Sequence, residues 1–294
     1  MISLKREMSD MTDNTIISLQ NVTRSFGEKQ VLRGITLEID KGEIFGLLGP
    51  SGAGKTTLVN ILTGQLSCGG NAEIFGIDCG RIGSDLYRRM GAVLDNCGLY
   101  ERLSCADNLR LHARIHSVPS ERIGQALRKV GLDSCGSRKV KALSKGMKQR
   151  LALARAILHE PELIFMDEPT SGLDPSTALE IHSLMNELKS KGTTIFLTTH
   201  NMDEAYRVCD RIALLNEGEI VECGDPAEIC RRHCSSSMLR VITTDGNQLE
   251  IDNAPENADI ISRLVTEGKL KAIHSSEPDL GTVFLSLTGK ELDV

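Results

Sequence analysis

The sequence predicts an α/β fold, with a largely parallel core sheet, antiparallel strands at the start and end of that core, and a small α+β appendage after it. Three observations predict it. Strand-length apolar runs alternate with helical periodicity over most of the chain, and a glycine-rich loop joins one such run to a helix. Beyond about Cys230 the pattern changes to short hairpin-like and helical pieces.

Taken in order, residues 1–13 read as a disordered lead-in, with Met8 or Met11 as alternative starts. IISLQNV and VLRGITLEI read as two strands around a turn at Phe26-Gly27-Glu28-Lys29. Glu43 to Leu48 is a buried-strand run, and Thr57 to Gly64 is helical. Residues of about 95–140 carry mostly helical periodicity, followed by a helix from Lys145 to Leu158 and the strand LIFMDEP. Asp174 caps the next helix and Pro175 suits its first position. Ile181, Leu184, Met185 and Leu188 give that helix one apolar face. TTIFLTTH is an apolar strand, and RIALLNEGEIVECG reads as a hairpin turning near Glu217-Gly218. The tail reads as a short hairpin, a helix from about Ala258 to Glu267 and two more strands. The expected division is a larger α/β domain over 14–230 and a small accessory domain over 231–294.

The 294 residues are 40% hydrophobic and 25% charged, as in ordinary globular proteins. A net charge of -6, with 3% aromatics and no Trp, argues against a basic footprint or a base-stacking platform, so no nucleic-acid partner is expected. No apolar run approaches the roughly 18–20 residues that span a bilayer, and the polar start lacks an apolar signal region. A membrane role would therefore run through a partner, from the cytosolic side. The nine cysteines form no CxxC pair, and Cys230-x-x-His233-Cys234 lacks the ligand count of a zinc site, so reduced thiols are expected.

Gly49-Pro50-Ser51-Gly52-Ala53-Gly54-Lys55-Thr56, followed by Thr57, satisfies G-x-x-x-x-G-K-[ST] between a predicted strand and helix. Its glycines let successive N–H groups face phosphates, and the helix adds its positive end. Lys55 supplies a cation for the β- and γ-phosphates and Thr56 a hydroxyl for Mg²⁺, so a nucleoside triphosphate with Mg²⁺ is the expected ligand. LIFMDEP ends in Asp167 and Glu168, at the carboxyl end of a strand beside that loop. Asp167 is placed to hold Mg²⁺, and Glu168 to orient and polarise the attacking water. His200 ends the next apolar strand, placed to sense the γ-phosphate as a hydrogen-bond donor. His112 and His116 read as a solvated or packed helix face. His159 reads as a partner of the dipole of the helix ending at Leu158.

The ordered set Gly49 to Thr56, Ser144-Lys145-Gly146-Met147, Asp167-Glu168, Ser171-Gly172-Leu173-Asp174 and His200 resembles the ATP-binding subunits of ABC transporters over residues of about 16–230. That resemblance implies a P-loop NTPase core with an antiparallel β subdomain and a helical signature subdomain. It implies a head-to-tail homodimer sandwiching two nucleotides, with Ser144 and Gly146 contacting the γ-phosphate on the partner's loop. Asp174 would communicate between the sites, and Phe26 matches the aromatic that stacks on adenine. A separate transmembrane permease is the implied partner, with the subunit peripheral on the cytosolic face of the membrane.

Two departures carry information. LSKGM replaces the common LSGGQ, with Lys145 and Met147 in the changed positions, a variant similar to the drug- and antibiotic-resistance branch that includes bacitracin and lantibiotic immunity exporters. Asp95 stands where the family usually places a Gln that meets Mg²⁺ and the membrane partner, and an Asp still offers a hard oxygen donor. The tail SSEPDLGTVFLSLTGKEL resembles the C-terminal extension of the same branch. The competing readings are a non-transport ATPase of this superfamily acting on ribosomes or DNA, and a module that binds ATP without hydrolysing it. A single nucleotide domain disfavours the first; intact Lys55, Asp167, Glu168 and His200 disfavour the second.

Overall fold

In a computed structural model, residues 14–94, 98–233, 238–276 and 278–289 are described here. They fall into two compact units, residues 14–223 and 224–289.

The first unit opens with β1 (Thr15–Phe26), β2 (Lys29–Asp40), β3 (Ile44–Leu48), α1 (Lys55–Leu62), β4 (Gly69–Ile74), β5 (Ile77–Asp78), α2 (Ser84–Tyr87) and β6 (Met90–Val93). It continues through α3 (Cys105–Ile115), α4 (Glu121–Lys129), α5 (Lys145–Ile157), β7 (Leu163–Asp167), α6 (Pro175–Ser190), β8 (Thr194–Thr199), α7 (Met202–Val208), β9 (Arg211–Asn216) and β10 (Glu219–Gly224). The chain ends in α8 (Pro226–Arg232), β11 (Met238–Thr243), β12 (Gln248–Asp252), α9 (Ala258–Thr266), β13 (Leu270–Ser276) and α10 (Leu280–Thr288).

Two sheets build the first unit. The antiparallel one has the order β2-β1-β4-β5, and the other has the order β10-β9-β3-β8-β7-β6. Strands β3, β6, β7, β8 and β9 of the second sheet pair in parallel. Every residue of β3, β7 and β8 is buried, as expected of a parallel sheet covered on both faces. Phe45, Phe196 and Phe165 occupy one register across those strands, with ring centroids 6.1 Å and 5.6 Å apart. That aromatic row anchors the core. The same register brings Leu48, Thr199 and Asp167 to one end of the sheet, so the loops that leave these strands share an edge.

Some elements depart from the sequence reading. Strand β6 is only MGAV, too short for a periodic signal. At Gly91 within it, a Cβ would lie 2.6 Å from the Ala156 carbonyl oxygen, so the glycine is what lets α5 approach this strand so closely. The tail holds one further strand and a helix, where two strands were expected. TVFLSLT is helical because the Asp279 carboxylate caps α10, accepting from Thr282 N at 2.7 Å. Leu280, Val283 and Phe284, at the i, i+3, i+4 spacing, form its buried face. The contact boundary lies between Cys223 and Gly224, and α8 packs against α10 within the second unit. Among the described residues no helix is long and apolar enough to cross a membrane, and seven cysteines are free thiols.

Candidate nucleotide site

The loop between β3 and α1 curls around Gly49 to Gly54, and α1 begins at Lys55. Gly54 precedes the helix at φ +116°, and a Cβ there would meet Leu32 Cδ2 at 2.7 Å, so both backbone and space demand glycine. A groove of about 540 Å³ opens above the loop, lined by Phe26, Pro50, Ser51, Gly52, Thr56 and Thr57 among others. Gly54, Lys55, Asp167 and Glu168 line it too. Gly49 lies beneath it, donating no side chain but accepting from Lys55, and Ala53 is buried in the core.

Lys55 is buried, and its Nζ donates to the carbonyls of Gly49 at 2.6 Å and Pro50 at 3.3 Å. Burial pushes its pKa down, while the Glu168 and Asp167 carboxylates pull it back up. Glu168 Oε1 lies 3.9 Å from Lys55 Nζ, and Glu168 Oε2 lies 2.8 Å from His200 Nδ1. One carboxylate thus stands between the phosphate-loop cation and the histidine at the end of β8. Glu168 holds a left-handed backbone, φ +49°, anchored by its N–H to the Thr198 carbonyl at 3.0 Å. Asp167 is buried, and one of its carboxylate oxygens accepts from the Thr198 hydroxyl.

Phe26 is 47% exposed, which excludes the core role that most phenylalanines fill. The Arg24 guanidinium sits 4.9 Å from its ring centroid and is itself pinned to Ser67, whose carbonyl accepts at 2.7 Å. An aromatic ring held on one side and exposed to the groove suits a planar base.

Ser144, Gly146 and Asp174 are not among the groove-lining residues. Ser144 is exposed and caps α5, its hydroxyl accepting from Met147 N at 3.3 Å. Gly146 follows in the first turn, against Thr177 and Leu173. Asp174 caps α6, accepting from Thr177 N at 3.0 Å and Thr177 Oγ1 at 2.7 Å, and these bonds hold its carboxyl below the usual range. Lys145 reaches over Gly172, where its ammonium lies 2.5 Å from the position a Cβ would take. Asp95 lies outside the described residues.

The sequence reading missed Lys29 and Val31, which also line the groove from the hairpin that presents Phe26. Their proximity to Phe26 was an available signal. It also missed a buried carboxylate that ties together the elements on either side of these strand ends. Glu204 on α7 is buried and accepts from Thr170 Oγ1 at 2.6 Å, with His182 Nε2 at 3.0 Å, which bridges α6, α7 and the loop after β7. Burial raises the Glu204 pKa, but the bonds with His182 and Thr170 outweigh it and hold the carboxyl low.

One histidine is corrected and two follow one of their expected alternatives. His159 does not serve the helix dipole: its Nε2 lies 2.9 Å from the Met90 carbonyl oxygen of β6, and its ring stacks on His116 at 4.0 Å between centroids. His112 and His116 take the packed alternative, half-buried with their rings 4.3 Å apart. Burial, then the neighbouring His116, pushes the His112 pKa down to about 3, and burial pushes His159 down to about 4.

The sequence profile described as ABC transporter matches residues 32–171. A fluoroquinolones export ATP-binding protein of Mycobacterium tuberculosis (strain CDC 1551 / Oshkosh) is 35% identical over a 301-residue alignment, covering 99% of this chain and 100% of that protein. The chain belongs to the ABC transporter ATP-binding family. A lantibiotic transport ATP-binding protein of Streptococcus pyogenes is 37% identical over 207 residues, covering 70% of this ABC chain and 89% of its own length. A solved dimeric ATP-binding cassette in a post-hydrolysis state, bound to ADP and Pi, matches with a TM-score of 0.65 at 29% identity, covering 71% of this chain and 98% of that one. The fold is that of the ABC cassettes, and the chain is an ATPase of the transporter class.

Proposed function

We propose that this ABC subunit binds MgATP in the groove above the phosphate loop and couples its hydrolysis to export through a separate membrane permease. The observation that carries the reading is the Glu168 carboxylate held between Lys55 and His200 at the rim of that groove. Phe26 stacks on adenine, and the N–H groups from Gly49 to Thr57 surround the phosphates. Lys55 leaves its carbonyl partners and Glu168 for the β- and γ-phosphates. Glu168, released from Lys55, accepts a proton from the attacking water, and His200 holds the other carboxylate oxygen and reads the γ-phosphate. Thr56, Asp167 and Asp95 offer hard oxygen donors that suit Mg²⁺, which would neutralise phosphate charge there.

Ser144 and Gly146 complete the site of a second copy in a head-to-tail homodimer, which explains why they stand away from this chain's own groove. The positive end of α5 and the Ser144 hydroxyl suit an anionic γ-phosphate. Asp174, at the start of α6, connects the two sites. Residues 14–223 act as the nucleotide-binding domain and the unit from Gly224 onward as an accessory domain, seven residues earlier than the division expected from the sequence. The subunit sits on the cytosolic face of the cell membrane. The cargo is a drug, a peptide antibiotic or a similar compound, in keeping with the fluoroquinolone and lantibiotic functions named for the relatives.

The test is an affinity pull-down of tagged Glu168→Gln protein, loaded with MgATP, from detergent-solubilised native membranes. That variant is expected to hold ATP in a dimer with little turnover and to bring down a polytopic membrane protein. Parental hydrolysis rates would remove Glu168 from the base role. Recovery of ribosomes or nucleic-acid factors with no permease would overturn the transport reading.

A further inference from the structure

A second polar cluster lies away from the nucleotide groove, in a cavity of about 810 Å³ lined in part by Tyr87, Tyr100, Arg155 and three histidines. His112 lies on α3, His116 ends that helix one turn later, and His159 follows α5. One ring nitrogen from each lies within 4.8 Å of the other two. His112 Nε2, His116 Nδ1 and His159 Nδ1 are all buried with no protein hydrogen-bond partner.

Three orphaned ring nitrogens in one place are unusual, because buried polar atoms nearly always find a partner. His159 Nε2 is satisfied by the Met90 carbonyl, whereas the other three nitrogens meet no protein group and can turn only to water or a ligand in the cavity. The Met90 bond is informative. It places the proton of His159 on Nε2 and leaves the Nδ1 lone pair for a ligand, the arrangement that backbone carbonyls impose on metal-binding histidines.

We propose that His112, His116 and His159 bind a divalent transition ion of the zinc class, with a fourth position open to the cavity. Imidazole nitrogen suits such ions, and three protein ligands with one open position is a familiar zinc geometry. At zinc–nitrogen distances of about 2.0–2.1 Å, tetrahedral ligand nitrogens stand roughly 3.3 Å apart, so side-chain rotations of about an ångström close the site. Arg88 and Arg155 are the cations that face the cluster. Arg155 directs Nη1 to the Gly98 carbonyl at 2.7 Å, which turns that part of its charge away. The remaining positive field favours an anionic fourth ligand, such as hydroxide, from the cavity. The bound ion would tie α3 to the segment after α5 and, through Met90, to the start of β6.

The test uses the full chain, stripped of metal, reduced and nucleotide-free, titrated with Co²⁺ and with Zn²⁺ against a chromophoric chelator. One equivalent of cobalt is expected, with the visible bands of a tetrahedral site and no thiolate charge-transfer band. His112→Gln, His116→Gln and His159→Gln are each expected to weaken Zn²⁺ binding about 100-fold. Absence of a stoichiometric equivalent in the parent chain overturns the proposal without reference to any variant. Affinity unchanged in the three variants, or a thiolate band, overturns it as well. Far-ultraviolet circular dichroism of the metal-free variants separates ligand loss from misfolding.

Discussion

Replacing His182 with alanine tests whether the buried Glu204 carboxylate braces α6 and α7 against the loop after β7. Glu204 is only 3% exposed, and His182 Nε2 and Thr170 Oγ1 both meet its Oε1. A hydrogen bond to a charged group contributes about 1.5–3 kcal/mol, and removing one partner leaves the buried carboxylate under-satisfied. His182→Ala is therefore expected to cost about 2 kcal/mol, or about 4–8 °C in Tm for a unit of this size. The sign with pH follows from the lowered Glu204 pKa. The native state binds this proton less readily than the unfolded chain, so the network stabilises above the unfolded carboxyl pKa and loses that contribution as pH falls below it. The gap between parent and variant should be full at pH 7 and shrink below about pH 4.5, the ordinary value of this group. Urea melts across that range read it directly. In a double-mutant cycle with Thr170→Val, the two losses should be non-additive, because both donors serve one oxygen. A loss under about 0.5 kcal/mol, additive losses, or a gap that widens in acid would refute the bracing argument.

Lys55→Ala removes the one cation bonded within the loop and should weaken ATP binding about 10- to 100-fold, with unchanged affinity as the failing result. Phe26→Ala should cost roughly 10-fold in affinity for ATP and nothing for inorganic triphosphate, since stacking on one base contributes about 1–3 kcal/mol. A loss shared by both ligands would assign Phe26 to folding instead. Gly91→Ala drives a Cβ against the Ala156 carbonyl and should lower Tm by several degrees, and a neutral result would mean that α5 can retreat from β6.

The parts of this molecule that the sequence discloses are those whose chemistry is local. Gly49 to Thr56 form their turn through consecutive backbone groups, so their spacing states the geometry. LIFMDEP and TTIFLTTH end in polar residues at the sheet edge, so Asp167, Glu168 and His200 can be aimed at the loop from strand order alone. Strand β6 escaped because four residues, one of them glycine, carry no period. Helix α10 was hidden by its β-branched Thr282 and Val283, whose strand preference is overridden by the Asp279 cap and the buried Phe284. His159 and Glu204 were misread or missed for another reason. Their partners lie 69, 34 and 22 positions away in sequence, and only packing brings such pairs together.

Glu168 occupies a backbone conformation that glycine or asparagine would adopt at less cost. A left-handed glutamate gives up about 1–2 kcal/mol relative to an ordinary backbone well. A library selected only for thermal tolerance would therefore discard this residue early, and under the proposed base role its best survivors would be the ones that no longer turn over nucleotide. Stabilising this protein for study without silencing it requires leaving position 168 strained and seeking the gain elsewhere.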